Sequence, residues 1–380
     1  MTDRRPVLVL GDANVDLTLH VPVRGPGGRR LVREPSLSGG GTAANTATAL
    51  ARLGVEVEFA GAVGDDGFGR WIAADFAATG IGTRGLRVVD VPTCQVIAMI
   101  EPDGERSLVV WPPDGGALVA FGAGDIDPAL IDGAAWLHTT GMCLRHAPVR
   151  DAVLAAMAAA RAAGVPVSID LNLRVELWGL DAARRAVLGA AIALADVVLA
   201  QGFEELVPLV RGVEAGDDGD DGDDDDGAVG AADGGDAGAD DNGVGDRGAA
   251  DDVDAGDGGV ADDGAVGVAR GAADLVAVEA AARVIAGGAR TVLARLGAGG
   301  ALACTADGSV VRSPACPVAA ANPVGAGDAF NGGFVAAMVE GRGLPESLRW
   351  GNAVAALKVA RPGGARDLPD RAAVEALLAG

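Results

Sequence analysis

Apolar residues fall along this chain in two alternating textures. Short continuous runs, Val7 to Gly11, Val57 to Ala62, Trp136 to Thr139, Val165 to Asp170 and Val197 to Leu199, read as strands buried on both faces. Between them, Ala-rich stretches predict helices from about Thr42 to Leu53, Gly67 to Thr79, Pro148 to Ala163 and Ala182 to Ala193. Strands separated by helices imply βαβ units, and therefore an α/β domain whose mainly parallel sheet carries helices on both faces. On such sheets ligands sit at the carboxyl ends of the strands.

Two stretches break the rhythm. Residues 15–38 and 93–111 alternate apolar and polar positions, and in the second Asp103-Gly104 predicts a hairpin turn between Gln95–Ile100 and Ser107–Trp111. Together they predict a small β-sheet lid added to one edge. A third stretch has no periodicity: residues 214–269 hold 16 glycines, 12 alanines and no aromatic residue. Such a segment buries too little apolar surface to offset its chain entropy. The expected organisation is therefore one α/β domain from 1–211 and 270–380, interrupted by a disordered acidic insertion at 212–269. Deleting 214–269 is expected to leave activity and folding nearly unchanged, which assays of the shortened chain check directly.

Charge changes the picture only once it is located. The chain of 380 residues carries a formal charge of −23, but residues 214–269 contain 20 acidic side chains against one basic, Arg247. The remainder is an ordinary, mildly acidic protein. Without a basic block or a basic stripe interleaved with aromatics, nucleic acid is not expected as a partner. The N-terminal apolar run is too short for a signal-peptide core, and no apolar stretch reaches the length of a membrane span, so a cytoplasmic protein without membrane attachment is expected. Cys94, Cys143, Cys304 and Cys316 form no C-x-x-C pair, and His20, His138 and His146 lack i, i+4 spacing, which disfavours a thiolate or imidazole metal site. The chain has a single lysine, Lys358, so the G-x-x-x-x-G-K-[ST] phosphate loop is absent. If phosphates are bound, backbone groups must cradle them another way.

The run Asn322-Pro323-Val324-Gly325-Ala326-Gly327-Asp328-Ala329-Phe330 offers one. Small residues at Gly325, Ala326 and Gly327 just before a helix leave its first N–H groups open to an anion. Asp328, in the first turn, cannot bind phosphate, so its chemical use there is to take a proton from an attacking hydroxyl. A tight turn with Asp328 as a helix cap is the alternative reading of the same residues. A second glycine cluster, Ser38-Gly39-Gly40-Gly41-Thr42, opens the first long helix, with Asn45 one turn in. Its amide both donates and accepts, as polyol recognition requires. Asn14 and Asp16 follow the first strand with one residue between them and so share a side.

In sequence order, these residues resemble the ribokinase-like, or PfkB, carbohydrate kinases. The carriers are Gly11-Asp12-Ala13-Asn14-Val15-Asp16, Gly40-Gly41-Thr42-Ala43-Ala44-Asn45 and Gly61-Ala62-Val63-Gly64-Asp65-Asp66-Gly67-Phe68-Gly69. They continue with Asp170-Leu171-Asn172-Leu173-Arg174 and Leu177-Trp178, then Arg295 to Gly300 and Gly325 to Asp328. The resemblance implies a Rossmann-like ribokinase fold with a β-sheet lid, and transfer of the ATP γ-phosphate to a hydroxyl of a sugar or sugar acid with help from Mg²⁺. It implies Asp328 as general base and the backbone of Gly325, Ala326 and Gly327 as anion hole. Asn14, Asp16, Gly40, Gly41, Asn45 and Arg174 match substrate-side positions. Asn172, Glu204, Arg295, Gly297, Gly300 and Asn352 match the nucleotide side, with Glu204 near the metal through water.

The departures bear on substrate. Gln201-Gly202-Phe203-Glu204 stands where many members have Asn-x-x-Glu, and Thr42 where ribose kinases commonly have lysine. Asn322-Pro323 replaces the common Asp-Thr, as in sugar-phosphate branches, which leaves monovalent-cation dependence open. The pattern at 170–178 instead resembles fructokinases and 2-keto-3-deoxygluconate kinases. Arg24, Arg29, Arg30 and Arg33, in the predicted lid, are either solvated side chains or contacts for a substrate carboxylate or phosphate. A nucleoside kinase of the same family and a catalytically silent sugar-binding protein are the competing readings. A lid with one apolar face also implies a homodimer.

Overall fold

All four residues of Val7–Leu10 are buried, as a strand covered on both faces requires, and they form β1 in the interior of a nine-stranded sheet. In this computed structural model the described residues are 5–20, 35–100, 106–175, 179–211, 272–364 and 366–380. Along the chain, β2 (Asn14–His20), β3 (Ser36–Gly40), β4 (Val57–Gly64), β5 (Gly82–Val89), β6 (Gln95–Ile100) and β7 (Arg106–Trp111) come first. They are followed by β8 (Trp136–Thr140), β9 (Val167–Asp170), β10 (Val197–Gln201), β11 (Thr291–Arg295), β12 (Ala301–Thr305) and β13 (Val310–Ser313).

The large sheet runs in the order β13-β12-β11-β10-β9-β8-β1-β4-β5. From β5 to β11 every pairing is parallel, while β12 and β13 add an antiparallel edge. The chain departs from β1 first to one side, through β4 and β5, and then to the other, through β8 to β11. The strand order therefore reverses between β1 and β8, and a crevice at the carboxyl ends is the expected consequence. Alternate residues of each strand serve opposite layers. Leu8, Leu10, Leu137, Ile169 and Val198 pack with the helices Val149–Ala162, Ala182–Leu194 and Ala272–Ala286. Val7, Val9, Phe59, Trp136 and Leu199 pack with Thr42–Arg52, Gly67–Thr79, Ala326–Val339 and Leu344–Val359.

The lid is a separate four-stranded sheet, β3-β2-β6-β7, in which the two predicted hairpin partners pair antiparallel and β2 joins β6 in parallel. Its connection to the core is pinned by Asp66. That carboxylate caps the Gly67–Thr79 helix through Gly69 N–H (2.7 Å) and accepts from both the backbone and the hydroxyl of Thr93 (2.8 and 2.9 Å).

Several sequence expectations fall outside the described residues: the Asp103-Gly104 turn, Arg24, Arg29, Arg30 and Arg33, the Leu177-Trp178 pair, and the insertion at 212–269. Among the described residues no helix is long and apolar enough to cross a membrane. His138 lies inside β8 with its Nδ1 2.8 Å from Ser168 Oγ.

Candidate active site

Three strand ends and two helix starts supply the candidate residues. Asp12, just past β1, accepts hydrogen bonds from the N–H groups of Thr42 (2.8 Å) and Ala43 (3.0 Å), capping the Thr42–Arg52 helix from another segment. Burial pushes its carboxyl up despite these two bonds. The cap fixes the helix so that Asn45, one turn in, faces the first turn of Ala326–Val339. There Asn45 Nδ2 donates to Asp328 Oδ2 at 2.8 Å, while Asn45 Oδ1 is buried with no hydrogen-bond partner among the described residues. The two helices come this close because Gly332 has no side chain, and a Cβ there would stand 2.4 Å from that of Ala49.

Gly325 caps the Ala326–Val339 helix at φ 79°, in the left-handed region, a conformation glycine adopts without strain. Within the helix, the N–H groups of Gly327 and Asp328 have no carbonyl four residues back, so they are open to an anion. Asp328 is only half-buried, as a group that meets substrate must be. Protein packed around its carboxyl pushes it well above the ordinary value; Asn45 and Arg295 pull it down, while Asp170 and Asp12 add to the rise.

Beneath this turn lies a buried charged cluster. Arg295, at the end of β11, holds Asp170, at the end of β9, with two bonds of 2.8 and 3.0 Å. Its Nη1 also donates to Asn331 Oδ1 (2.8 Å) and to the carbonyl of Gly327 (3.4 Å), and Asn331 Nδ2 returns to Asp170 at 2.7 Å. Burial opposes ionisation of Asp170, but Arg295 and Asn331 outweigh it and hold the carboxyl below its usual value. Glu205 completes the floor, accepting from the N–H groups of Leu173 and Gln201, both at 2.7 Å. Burial and the charge of Asp170 push it up to about 7.

Of the residues expected on the substrate side, Asn14 and Asp16 are brought together on β2, with Asn14 Nδ2 donating to Asp16 at 2.6 Å. Gly40 faces them across the lid: a Cβ there would lie 2.3 Å from an Asp16 oxygen. Gly40→Ala should therefore displace Asp16 and, where Asp16 holds the substrate, raise its KM on the order of tenfold or more, because misplacements of about an ångström are that costly. Steady-state kinetics beside a melting curve separates this from a loss of folding. Asn172 donates to Thr42 Oγ1 at 2.9 Å, which ties it to the start of the helix carrying Asn45. Asn172 and Arg174 both adopt positive φ, 39° and 46°.

Of the residues expected on the nucleotide side, Gly297 and Gly300 form the turn from β11 into β12, and Gly300 packs against Ser313 and Pro314. Asn352 donates to both of those residues, at 3.0–3.1 Å, so the structure gathers Gly300 and Asn352 around one strand end. Arg295 is engaged by the buried cluster. Glu204 is exposed, whereas its neighbour Glu205 is buried. Among the described residues no three His, Cys, Asp or Glu side chains gather closely enough to hold a metal ion.

Asp12, Asp170, Asn331 and Glu205 received no role from the sequence. Asp12 and Asp170 lie inside stretches already singled out there, and Asn331 directly follows one, but nothing local distinguishes a carboxylate that faces substrate from one that faces an arginine 125 residues away. Glu205 differs from Glu204 only by the half-turn that buries it.

Comparison with known proteins bears on this arrangement. The model of the pfkB family carbohydrate kinases matches residues 4–206 and 267–371. A fructokinase of Klebsiella pneumoniae is 34% identical over 204 residues, which is 50% of this chain and 59% of that enzyme. An ATP-dependent ribose-1-phosphate kinase of Halopiger xanaduensis is 30% identical over 375 residues, 98% of this chain and 97% of that one. The crystal structure of a fructokinase with bound ATP from Xylella fastidiosa superposes with a TM-score of 0.70 at 24% identity, covering 99% of this chain and 98% of that one.

Proposed function

This chain belongs to the pfkB family of carbohydrate kinases, and from that premise we propose that it transfers the γ-phosphoryl group of ATP to a hydroxyl of a sugar or sugar acid, of the fructose, 2-keto-3-deoxygluconate or ribose type. The observation that carries the reading is the Asn45–Asp328 bond, which sets a carboxylate with a raised pKa beside the open helix start of Gly325–Gly327. Mg²⁺-ATP supplies the phosphoryl group and partly neutralises its oxygens.

The chain's own residues do the rest. Asn14, Asp16, Asn45 and Arg174 hold the substrate hydroxyls, and the glycines at 40 and 41 let the sugar approach the backbone. Asp328 takes the proton of the attacking hydroxyl as that oxygen bonds to the γ-phosphorus and the bond to the β–γ bridging oxygen breaks, with ADP leaving. The N–H groups at the helix start receive the charge on the transferred group. Arg295, bonded to the carbonyl of Gly327, steadies that turn from beneath. Glu204 sits on the side assigned to the phosphates and their Mg²⁺, and Gly297, Gly300 and Asn352 shape the nucleotide end.

The lid strand β7 exposes Leu108, Val109, Val110 and Trp111. This supports pairing of lids in a homodimer, and a monomer mass in light scattering would refute it.

The substrate is tested by Mg²⁺-ATP-dependent ADP release across fructose, ribose, 2-keto-3-deoxygluconate, ribose-1-phosphate and nucleosides. A response to one of the sugars or sugar acids is expected. A response to nucleosides alone assigns the nucleoside branch, and sugar binding without ADP release assigns a silent binding protein.

A further inference from the structure

In a chain with 30 basic side chains, a single one is lysine, and it is fully buried. Lys358 stands in the last turn of the Leu344–Val359 helix with 0% exposure. Its ammonium donates to the backbone carbonyls of Asn322 (3.2 Å) and Gly363 (3.4 Å). Among the described residues no carboxylate is hydrogen-bonded to it; Asp367 favours its charge and Arg361 opposes it.

The two carbonyls belong to two loops tied at the same place by other bonds. Asn322 Nδ2 donates to Gly363 O at 3.0 Å, and the N–H groups of Ala321 and Asn322 both donate to Val359 O, at 2.8 and 3.0 Å. Asn322 Oδ1 in turn accepts from Val324 N–H at 3.0 Å. Two residues, Pro323 and Val324, then separate Asn322 from Gly325, the cap of the helix carrying Asp328. Loop position and anion-hole position are thus linked through a short, internally bonded stretch.

Charge and shape explain why this position is lysine in an arginine-dominated chain. Carbonyl oxygens converging from two loops repel one another unless a cation lies between them, and a compact ammonium with three donors fits where a planar guanidinium does not. The same role is open to a free monovalent cation, which carbonyl oxygens also bind.

We propose that Lys358 is a tethered cation that positions the Asn322–Gly325 loop, and through it the Gly325–Gly327 anion hole, in place of a bound monovalent ion. It is a positioning residue, since it touches neither substrate nor Asp328. The inference rests on the kinase reading for its consequence but not for its geometry.

The test is backbone hydrogen–deuterium exchange over residues 320–330 together with kinetics, in the wild type, Lys358→Ala and Lys358→Met. Lys358→Ala is expected to speed exchange at Val324–Asp328 and to lower kcat about tenfold or more with a smaller change in KM. Ammonium or potassium chloride, but not choline chloride, is expected to reverse both effects in this variant. Lys358→Met fills the space without charge and is expected to show the same loosening without rescue. Wild-type exchange in Lys358→Met, or a loosening in Lys358→Ala that no small cation reverses, would overturn the inference in favour of simple packing. Exchange needs no substrate, so it judges the brace even if the panel of sugars fails, whereas wild-type turnover judges the kinase reading alone.

Discussion

Asp328→Asn lowers kcat by about a thousandfold, within the 10²–10⁴ that a positioned general base contributes, and leaves sugar affinity within about threefold of the wild type, since the substrate-holding groups are untouched. The amide keeps the shape of the carboxylate and still offers an oxygen to Asn45 Nδ2, so the helix contact survives while the proton acceptor is lost. Calorimetric titration of the sugar beside turnover separates the two. The same substitution has a pH signature. Burial holds the Asp328 carboxyl well above its ordinary value, and only the ionised form accepts a proton. In the wild type kcat/KM therefore climbs as pH rises through that elevated pKa, with an acid limb shifted upward from where an ordinary carboxylate would place it. That limb disappears in Asp328→Asn.

Arg295→Met destabilises the fold by about 3–5 kcal/mol, the cost of leaving a buried charge without its partner. Asp170 would keep only Asn331 of its two side-chain partners, in surroundings where both members of the pair are less than a tenth exposed. Denaturant unfolding reads this directly. The double variant Asp170→Leu with Arg295→Met recovers much of the loss, because two apolar side chains remove the orphaned charge. Its turnover stays low all the same, since the Gly327 carbonyl loses its support from beneath. A double variant no more stable than the single one would show that the cluster is not held by charge pairing.

Strands β1, β4, β8, β9 and β10 were legible because they are short and largely buried, so they appear as apolar runs such as Val7–Leu10 or Val197–Leu199, whereas β5, half-exposed, and β11 were not among the predicted strands. The antiparallel pairing of β6 and β7 in the lid was legible through alternation. The edge strands β12 and β13 were less so: Ala301–Thr305 is apolar enough to pass for a helix segment, and only its antiparallel pairing to β11 assigns it. At the site, residues of adjacent function were readable where chemistry is local, as in the glycines at 325 and 327 followed by Asp328. The floor was not readable. Asp170, Arg295 and Asn331 meet from three separate elements, and Glu205 differs from Glu204 only in which way its side chain turns. Lys358 showed in the sequence as an oddity of composition, and its partners are carbonyls, which carry no sequence signal.

The central claim, that a hydroxyl deprotonated by Asp328 attacks the γ-phosphorus directly, is tested most sharply by the fate of the phosphoryl group. With ATP made chiral by oxygen isotopes at the γ-phosphorus and the sugar identified from the panel, a single in-line transfer predicts sugar phosphate of inverted configuration and no labelled protein. Retained configuration, label trapped on Asp328, or inorganic phosphate released with no sugar phosphate formed would contradict it.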